Sequence, residues 1–224
     1  NFLNLSFFPH SLNRAARILV SSGNTKKELM ATYRVDPKKI HVIPLSHETV
    51  FMPANDPRSV LEIREKFGVP AGYLLHFSTQ DPRENTEAVL ALFHQAKVRI
   101  GRGIKLLIIG CEKYQEADVV CKGYLDEREL IQAYQGALVY VDPSLYEGFA
   151  FQVLEAMACG VPVIASNRSS IPEIVGDAGI LIDPEDPLAL AEAIVRVLTD
   201  DNLRNEMRQK GLERTVALKV LPGG

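Results

Sequence analysis

Tryptophan is absent from the 224 residues, and cysteine occurs only three times, at Cys111, Cys121 and Cys159, outside any CxxC or Cys/His spacing. That argues against a disulfide framework and against a cysteine-built zinc site, and reduced thiols in the cytoplasm are the expectation. Histidines 10, 41, 47, 76 and 94 fall in no HExxH or related ligand spacing. His76, inside a strand pattern, reads as a satisfied core imidazole. Charge of one sign is lacking as well. Lys+Arg number 25 against 28 Asp+Glu, the net charge is −3, and no basic block stands out, so nothing draws the chain as a whole to nucleic acid or an anionic membrane. Lys26, Lys27, Lys38 and Lys39 form a modest basic patch that reads as solvated surface. No apolar run approaches the roughly 18–20 residues of a spanning helix, and no signal peptide opens the chain. GxxxxGK[ST] is missing, and the Gly101-Arg102-Gly103 turn precedes a strand pattern instead of following one, which removes P-loop chemistry and the dinucleotide fingerprint.

What is present is the texture of a folded α/β chain, with 46% hydrophobic and 24% charged residues. From about residue 73, short β-branched runs at 73–77, 105–109, 137–141, 161–165 and 179–182, with a weaker one at 119–121, alternate with helical patterns. Parallel strands need long crossovers, so this alternation predicts a Rossmann-like parallel sheet flanked by helices. Asp186-Pro187 opens one helix with Ala191, Ile194, Val195 and Leu198 as its core stripe, and Gly160 closes another that carries Phe149, Val153 and Met157 at four-residue steps. Before residue 50 the pattern changes. Strands are expected at 18–21 and 40–43, and Thr25-Lys-Lys-Glu28 reads as a capping box opening a helix to about Tyr33. Asp56-Pro57, starting a helix that Gly68 ends, marks the joint, so residues 1–50 are expected to be the tail of a preceding domain and 51–224 a domain of their own. The start at Asn1 and the tail from Lys219 to Gly224 suggest a fragment of something longer.

Ligands of an open parallel sheet bind beyond the carboxyl ends of its strands. Five loops qualify: residues 78–81, 110–111, 123–124, 143–148 and 166–167. The fourth leads into Glu147-Gly-Phe-Ala-Phe-Gln-Val-Leu-Glu155, two carboxylates eight positions apart around a predicted helix start. Unpaired amides at that start suit an anion or hydroxyl-rich ligand, Gly148 permits close backbone approach, and carboxylates accept from sugar or ribose hydroxyls. An ordinary acid favouring a helix dipole fits the same spacing.

Residues 143–184, PSLYEGFAFQVLEAMACGVPVIASNRSSIPEIVGDAGILIDP, closely resemble the donor-binding core of family 4 glycosyltransferases, whose fold is GT-B. SSGNTKKELMATYRVDPKKIHVIPLS resembles the family's interdomain region, and GYLDERELIQAYQGALVYVDPS resembles its approach to the motif. The resemblance implies the C-terminal, nucleotide-sugar donor domain of a retaining glycosyltransferase, with residues 1–50 from the acceptor domain. The enzyme would move a hexose, mannose or glucose by family habit, from a nucleoside diphosphate to an unidentified sugar, lipid or other acceptor without a metal cofactor. By position, Glu155 would hold the ribose hydroxyls, Glu147 would reach the transferred sugar, and the amides of Gly148, Phe149 and Ala150 would meet sugar or diphosphate oxygens. Gly123 and Tyr124 would line the base pocket, and Leu154 would pack near ribose or base. Peripheral membrane contact, if any, would run through the absent N-terminal domain, and this fragment alone is expected to show little transfer.

The sequence departs from the family at the first strand-end loop. Where G-R-x-x-x-x-K-N is usual, this chain reads Ser78-Thr79-Gln-Asp-Pro-Arg83-Glu84-Asn85. Thr79 replaces the arginine and Glu84 the lysine that would neutralise a leaving diphosphate, and losing one preorganised donor costs roughly 10²–10³ in rate. Arg83, one position earlier, is the candidate substitute. Ala150 and Gln152 stand where Gly and Pro are common. The inverted charge keeps a second reading open, a sugar-nucleotide-binding module that does no chemistry itself.

Overall fold

A computed structural model describes residues 2–101 and 103–220, without the side chains of 2–7, 219 and 220. The chain begins with α1 (Phe2–Arg14), β1 (Ile18–Val20), α2 (Gly23–Tyr33) and β2 (Ile40–Val42). β1 and β2 pair in parallel, Ile18 opposite Ile40. Leu12, Ile18, Val20, Val35 and Ile40 form a small core separate from the rest. Thr25 does not start α2. The cap is Ser22, whose hydroxyl accepts from the Thr25 amide at 3.1 Å, so the helix begins at Gly23, three residues earlier than a cap at Thr25 implies. Helix α1 is not anticipated by the periodicity.

The larger unit opens at α3 (Pro57–Lys66), where Asp56 Oδ1 accepts from the amides of Arg58 and Ser59 at 2.7 and 3.0 Å. Then follow β3 (Tyr73–Phe77), α4 (Thr86–Ile100), β4 (Lys105–Ile109), β5 (Val119–Lys122), α5 (Glu127–Gly136), β6 (Val139–Asp142), α6 (Phe151–Ala158), β7 (Val163–Ser166), α7 (Ile171–Val175), β8 (Ile180–Ile182), α8 (Pro187–Thr199) and α9 (Asp201–Val220). The six later strands form one all-parallel sheet in the order β5-β4-β3-β6-β7-β8. All six expected strands are present. β6 and β7 start two residues later than their apolar runs, and α8 buries Val197 where Val195 was expected, Val195 being only half-buried.

Both faces of the sheet are covered, which is why its strands read as continuous apolar runs. Tyr73, Leu75, Leu107, Ile109 and Tyr140 pack with α5, α6 and α7 in one layer. Leu74, Leu106, Ile108, Val139 and Val141 pack with α4 and α8 in the other. His76 is buried as expected, its Nδ1 donating to the Val141 carbonyl at 3.0 Å and its Nε2 lying 3.0 Å from Thr86 Oγ1. Gly101 ends α4 in the left-handed region (φ 62°), fitting a helix-to-strand connection; Arg102 and the tail residues 221–224 lie outside the described residues.

Candidate active site

Renumbered along the sheet, the strand order is the doubly wound 3-2-1-4-5-6, which reverses between β3 and β6. A ligand belongs at the carboxyl ends of those two strands, so residues 78–85 and 143–150 frame the site. The two loops are tied together, with the Leu145 amide donating to the Arg83 carbonyl at 2.7 Å and Asn85 Nδ2 to the Pro143 carbonyl at 3.4 Å.

Behind them opens a cavity of about 480 Å³. Phe77, Ser78, Thr79 and Glu84 line it after β3, Ile109 and Gly110 at the end of β4, Tyr124 and Leu125 after β5, and Phe151, Gln152 and Glu155 on α6; Glu48 and Phe51 close one side and Tyr134 another. A cavity of about 520 Å³ lies elsewhere, lined by Arg64 and Arg208. Arg64 Nε caps the end of α5 by donating to the Gly136 carbonyl at 2.8 Å, and Arg208 lies against Gly160 just beyond α6. These are helix-end contacts away from the carboxyl ends of β3 and β6, so the smaller cavity is the one placed for chemistry.

Glu155 is the fifth residue of α6, which starts at Phe151, two residues later than the sequence suggests. Its carboxylate lines the cavity and accepts from the Tyr134 hydroxyl at 2.8 Å. Burial raises its pKa, the Tyr134 bond works the other way, and Glu48 adds to the rise. Glu147 stands before the helix, half-buried and outside the cavity lining. Burial pushes its carboxyl up to about 7, with Asp142, Glu84 and Asp81 adding and Arg83 opposing. Its backbone is clasped from the loop after β7. The Glu147 amide donates to Ser169 Oγ at 2.8 Å, and Ser170 Oγ donates to the Glu147 carbonyl at 2.8 Å. The two acids therefore occupy different surroundings, and Glu84 links them by lining the cavity and acting on Glu147.

Between the acids the backbone is held open. No described residue accepts from the amides of Gly148, Phe149 or Ala150, while the Phe151 amide turns back to the Phe149 carbonyl at 2.9 Å. Gly148 is exposed, and a side chain built on it would meet nothing within 4 Å. The Gly148 carbonyl points instead to the N-terminal unit, accepting from Ser22 Oγ at 3.2 Å and Ser21 Oγ at 3.4 Å.

The other candidates divide. Tyr124 is 97% exposed and lines the cavity. Gly123 does not line it, and a Cβ there would lie 3.1 Å from Glu112 Oε1. Leu154 needs correction: its side chain is fully buried in the core, so it packs α6 and offers a ligand no surface. Phe149 and Ala150 are also buried, Ala150 completely and with its backbone, so of these three residues Gly148 offers the exposed surface. Arg83 does not turn into the cavity. Its guanidinium pairs with the Asp81 carboxylate at 2.7 Å, holding Asp81 at about 2, although its charge still acts on Glu147.

Glu84 locks the loop. It accepts from Thr79 Oγ1 at 2.6 Å and from the amides of Thr79 and Asp81 at 2.8 and 3.2 Å, as the returning half of a capping box headed by Asp81. Among the described residues the cavity wall thus carries Glu48, Glu84, Glu127 and Glu155 and no Lys or Arg. Among the described residues no cluster of His, Cys, Asp and Glu could hold a metal ion. Tyr134, Glu48 and Ser170 escape the sequence reading because their partners lie far away along the chain, and Ser169, which by sequence reads as turn chemistry past a strand end, holds the Glu147 amide.

Residues 60–214 match the family model described as glycosyl transferases group 1. The chain belongs to the group 1 glycosyl transferases. The chain is 31% identical over 217 residues to O-antigen chain mannosyltransferase B of Escherichia coli, covering 90% of this chain and 56% of that one. It is 29% identical over 229 residues to the D-inositol 3-phosphate glycosyltransferase of Corynebacterium glutamicum, covering 90% and 53%. The chain thus spans about half the length of these curated relatives. Sucrose-phosphate synthase from Thermosynechococcus elongatus superposes with a TM-score of 0.82 at 26% identity, over 97% of this chain and 58% of that one. An Anabaena protein crystallised with UDP and glucose shares the fold, with a TM-score of 0.80 at 18% identity over 96% and 64%. The expected Rossmann-like half of a GT-B architecture is therefore the fold of this chain.

Proposed function

We propose that the chain is the donor-binding half of a retaining glycosyltransferase that passes a hexose from a nucleoside diphosphate to an acceptor without a metal. The observation that carries this reading is the run of unpartnered amides at residues 148–150, set at the strand reversal between Glu147 and a cavity lined by Glu155. The nucleoside enters the cavity, with its base against Tyr124 and its ribose hydroxyls donating to Glu155. The diphosphate stays outside the acidic wall and meets the amides, where a helix start favours anions. Glu147, raised toward neutrality, takes hydroxyls of the transferred sugar. The mannosyltransferase relative favours mannose over glucose.

Arg83 supplies the cation that Thr79 and Glu84 do not. Its pair with Asp81 is exposed, where solvent and salt screen the attraction, so an arriving phosphate displaces Asp81 at little cost. Residues 1–50 are the end of the acceptor domain, a division supported by their separate sheet and core. We place the enzyme in the cytoplasm; among the described residues no helix is long and apolar enough to cross a membrane.

Isothermal titration of the chain with UDP, GDP and ADP tests the reading. One nucleotide should bind preferentially, Glu155→Ala should weaken it at least tenfold, and Arg83→Ala should weaken it less. Binding of none of the three overturns the proposal. Retention is read from the anomeric configuration of the product made by a longer form carrying the whole acceptor domain.

A further inference from the structure

Tyr134 is fully buried, yet its hydroxyl reaches the cavity wall and donates to Glu155 Oε2 at 2.8 Å. Its ring is gripped by aromatic neighbours, Phe77, Phe51 and Tyr140, with centroids 5.4, 6.0 and 6.1 Å away. A phenol packed so tightly has little freedom to turn its oxygen elsewhere. No other side chain among the described residues donates to Glu155, so the remaining carboxylate oxygen is left to the cavity. Tyr134 lies on α5 and Glu155 on α6, 21 positions apart, and neither helix alone fixes the geometry.

We propose that Tyr134 is a positioning residue for donor binding: its hydroxyl occupies one oxygen of Glu155 and presents the other, ionised, to a vicinal diol in the cavity. The inference rests on the donor-site reading above. It adds the group that orients the acid and keeps it charged, which the motif does not contain.

The electrostatics agree in sign. Burial and Glu48 favour the neutral acid, and the Tyr134 bond favours the carboxylate. Tyr140 on β6 and Cys159 at the end of α6 also lie within the field of Glu155, and Glu84 and Glu127 share the cavity wall. All are acids or weaker acids, so no cation is available to replace the phenol. Tyr134 itself is pushed well above the ordinary tyrosine range and stays a donor throughout the working range.

The test is Tyr134→Phe in the 224-residue chain, with the Glu155 carboxyl followed by carbon NMR through a pH titration without ligand. Deleting one oxygen keeps the ring and its packing. The Glu155 midpoint should move to higher pH, and affinity for the preferred nucleotide should fall about tenfold at neutral pH and more below it. Glu155→Gln, which cannot ionise there, should bind weakly with that pH dependence removed. An unmoved midpoint overturns the proposal whether or not a nucleotide binds. A moved midpoint with unchanged affinity also overturns it, making Tyr134 a packing residue. Failure of the wild-type chain to bind any nucleotide, with the midpoint moved, is charged to the donor-site reading and removes the ground for a positioning role.

Discussion

At the scale of single residues, the site is defined by acids that are costly to ionise. Glu147 has its carboxyl raised from 4.5 to about 7. The folded chain holds this proton where the unfolded chain has released it, so stability falls as pH rises from about 4.5 through 7. The nominal shift corresponds to about 3 kcal/mol; Glu147 is only half-buried, and solvent screening reduces that to about 1 kcal/mol. Glu147→Gln should therefore melt with the wild type at pH 4.5 and about 2–4 °C above it at pH 8, a size expected for a chain of this length. The same substitution should abolish transfer in a longer, active form. Equal melting temperatures at pH 8 would show that Glu147 is not desolvated. A residue that weakens the fold where it ionises is what a binding site requires and a solvated helix end does not.

At the scale of elements, local chemistry and distant packing separate cleanly. Asp186 caps α8 by accepting from the amides of Leu188 and Ala189 at 3.0 and 3.2 Å. Asp186→Ala should lower stability by about 1 kcal/mol, seen as a drop of about 2–4 °C in melting temperature, with nucleotide affinity unchanged because α8 packs on the layer opposite α6. Gly110 is different. It ends β4 at φ 101°, and a Cβ there would stand 2.6 Å from the Ser78 carbonyl oxygen. Gly110→Ala should push the loop after β3 off the cavity, lowering both melting temperature and affinity; a loss of stability alone would mean that the loop tolerates the shift. These two positions also show what was legible in the sequence. Asp-Pro caps, apolar strands and the order of crossovers are local signals, so the sheet and the loops at its edge could be read in advance. The start of α6, the burial of Leu154 and the Tyr134–Glu155 bond depend on how α5 and α6 meet, which no window of sequence contains. Arg83 was legible as a candidate, but its pairing with Asp81 two residues back was not, because it depends on the tight turn that Asp81 caps.

At the scale of the whole molecule, the question is how the small N-terminal unit is held against the sheet. The contacts converge on the first turns of α2. Glu173 on α7 accepts from the amides of Gly23 and Asn24 at 2.8 and 2.7 Å, Ser22 donates to the Gly148 carbonyl, and Tyr146 donates to Glu28 at 2.7 Å. Glu173 thus satisfies two of the unpaired amides at the start of a helix in the other unit, with its charge placed where the dipole favours it. Its own backbone is braced from α9, since Arg214 donates to the Glu173 and Ile174 carbonyls at 2.7 and 3.2 Å. The N-terminal core is small, and a unit of that size gains much of its order from what it rests on. Glu173→Ala should therefore speed amide hydrogen exchange at Gly23 and Asn24 and across β1 and β2 by tenfold or more, leaving β3, β4 and β6 protected. Because Ser22 fixes the peptide that follows Gly148, the same variant should weaken nucleotide binding more than Asp186→Ala does. Exchange confined to Gly23 and Asn24, with β1 and β2 unaffected, would show that the unit stands without this carboxylate and that contacts such as those of Ser21, Ser22 and Tyr146 hold the joint.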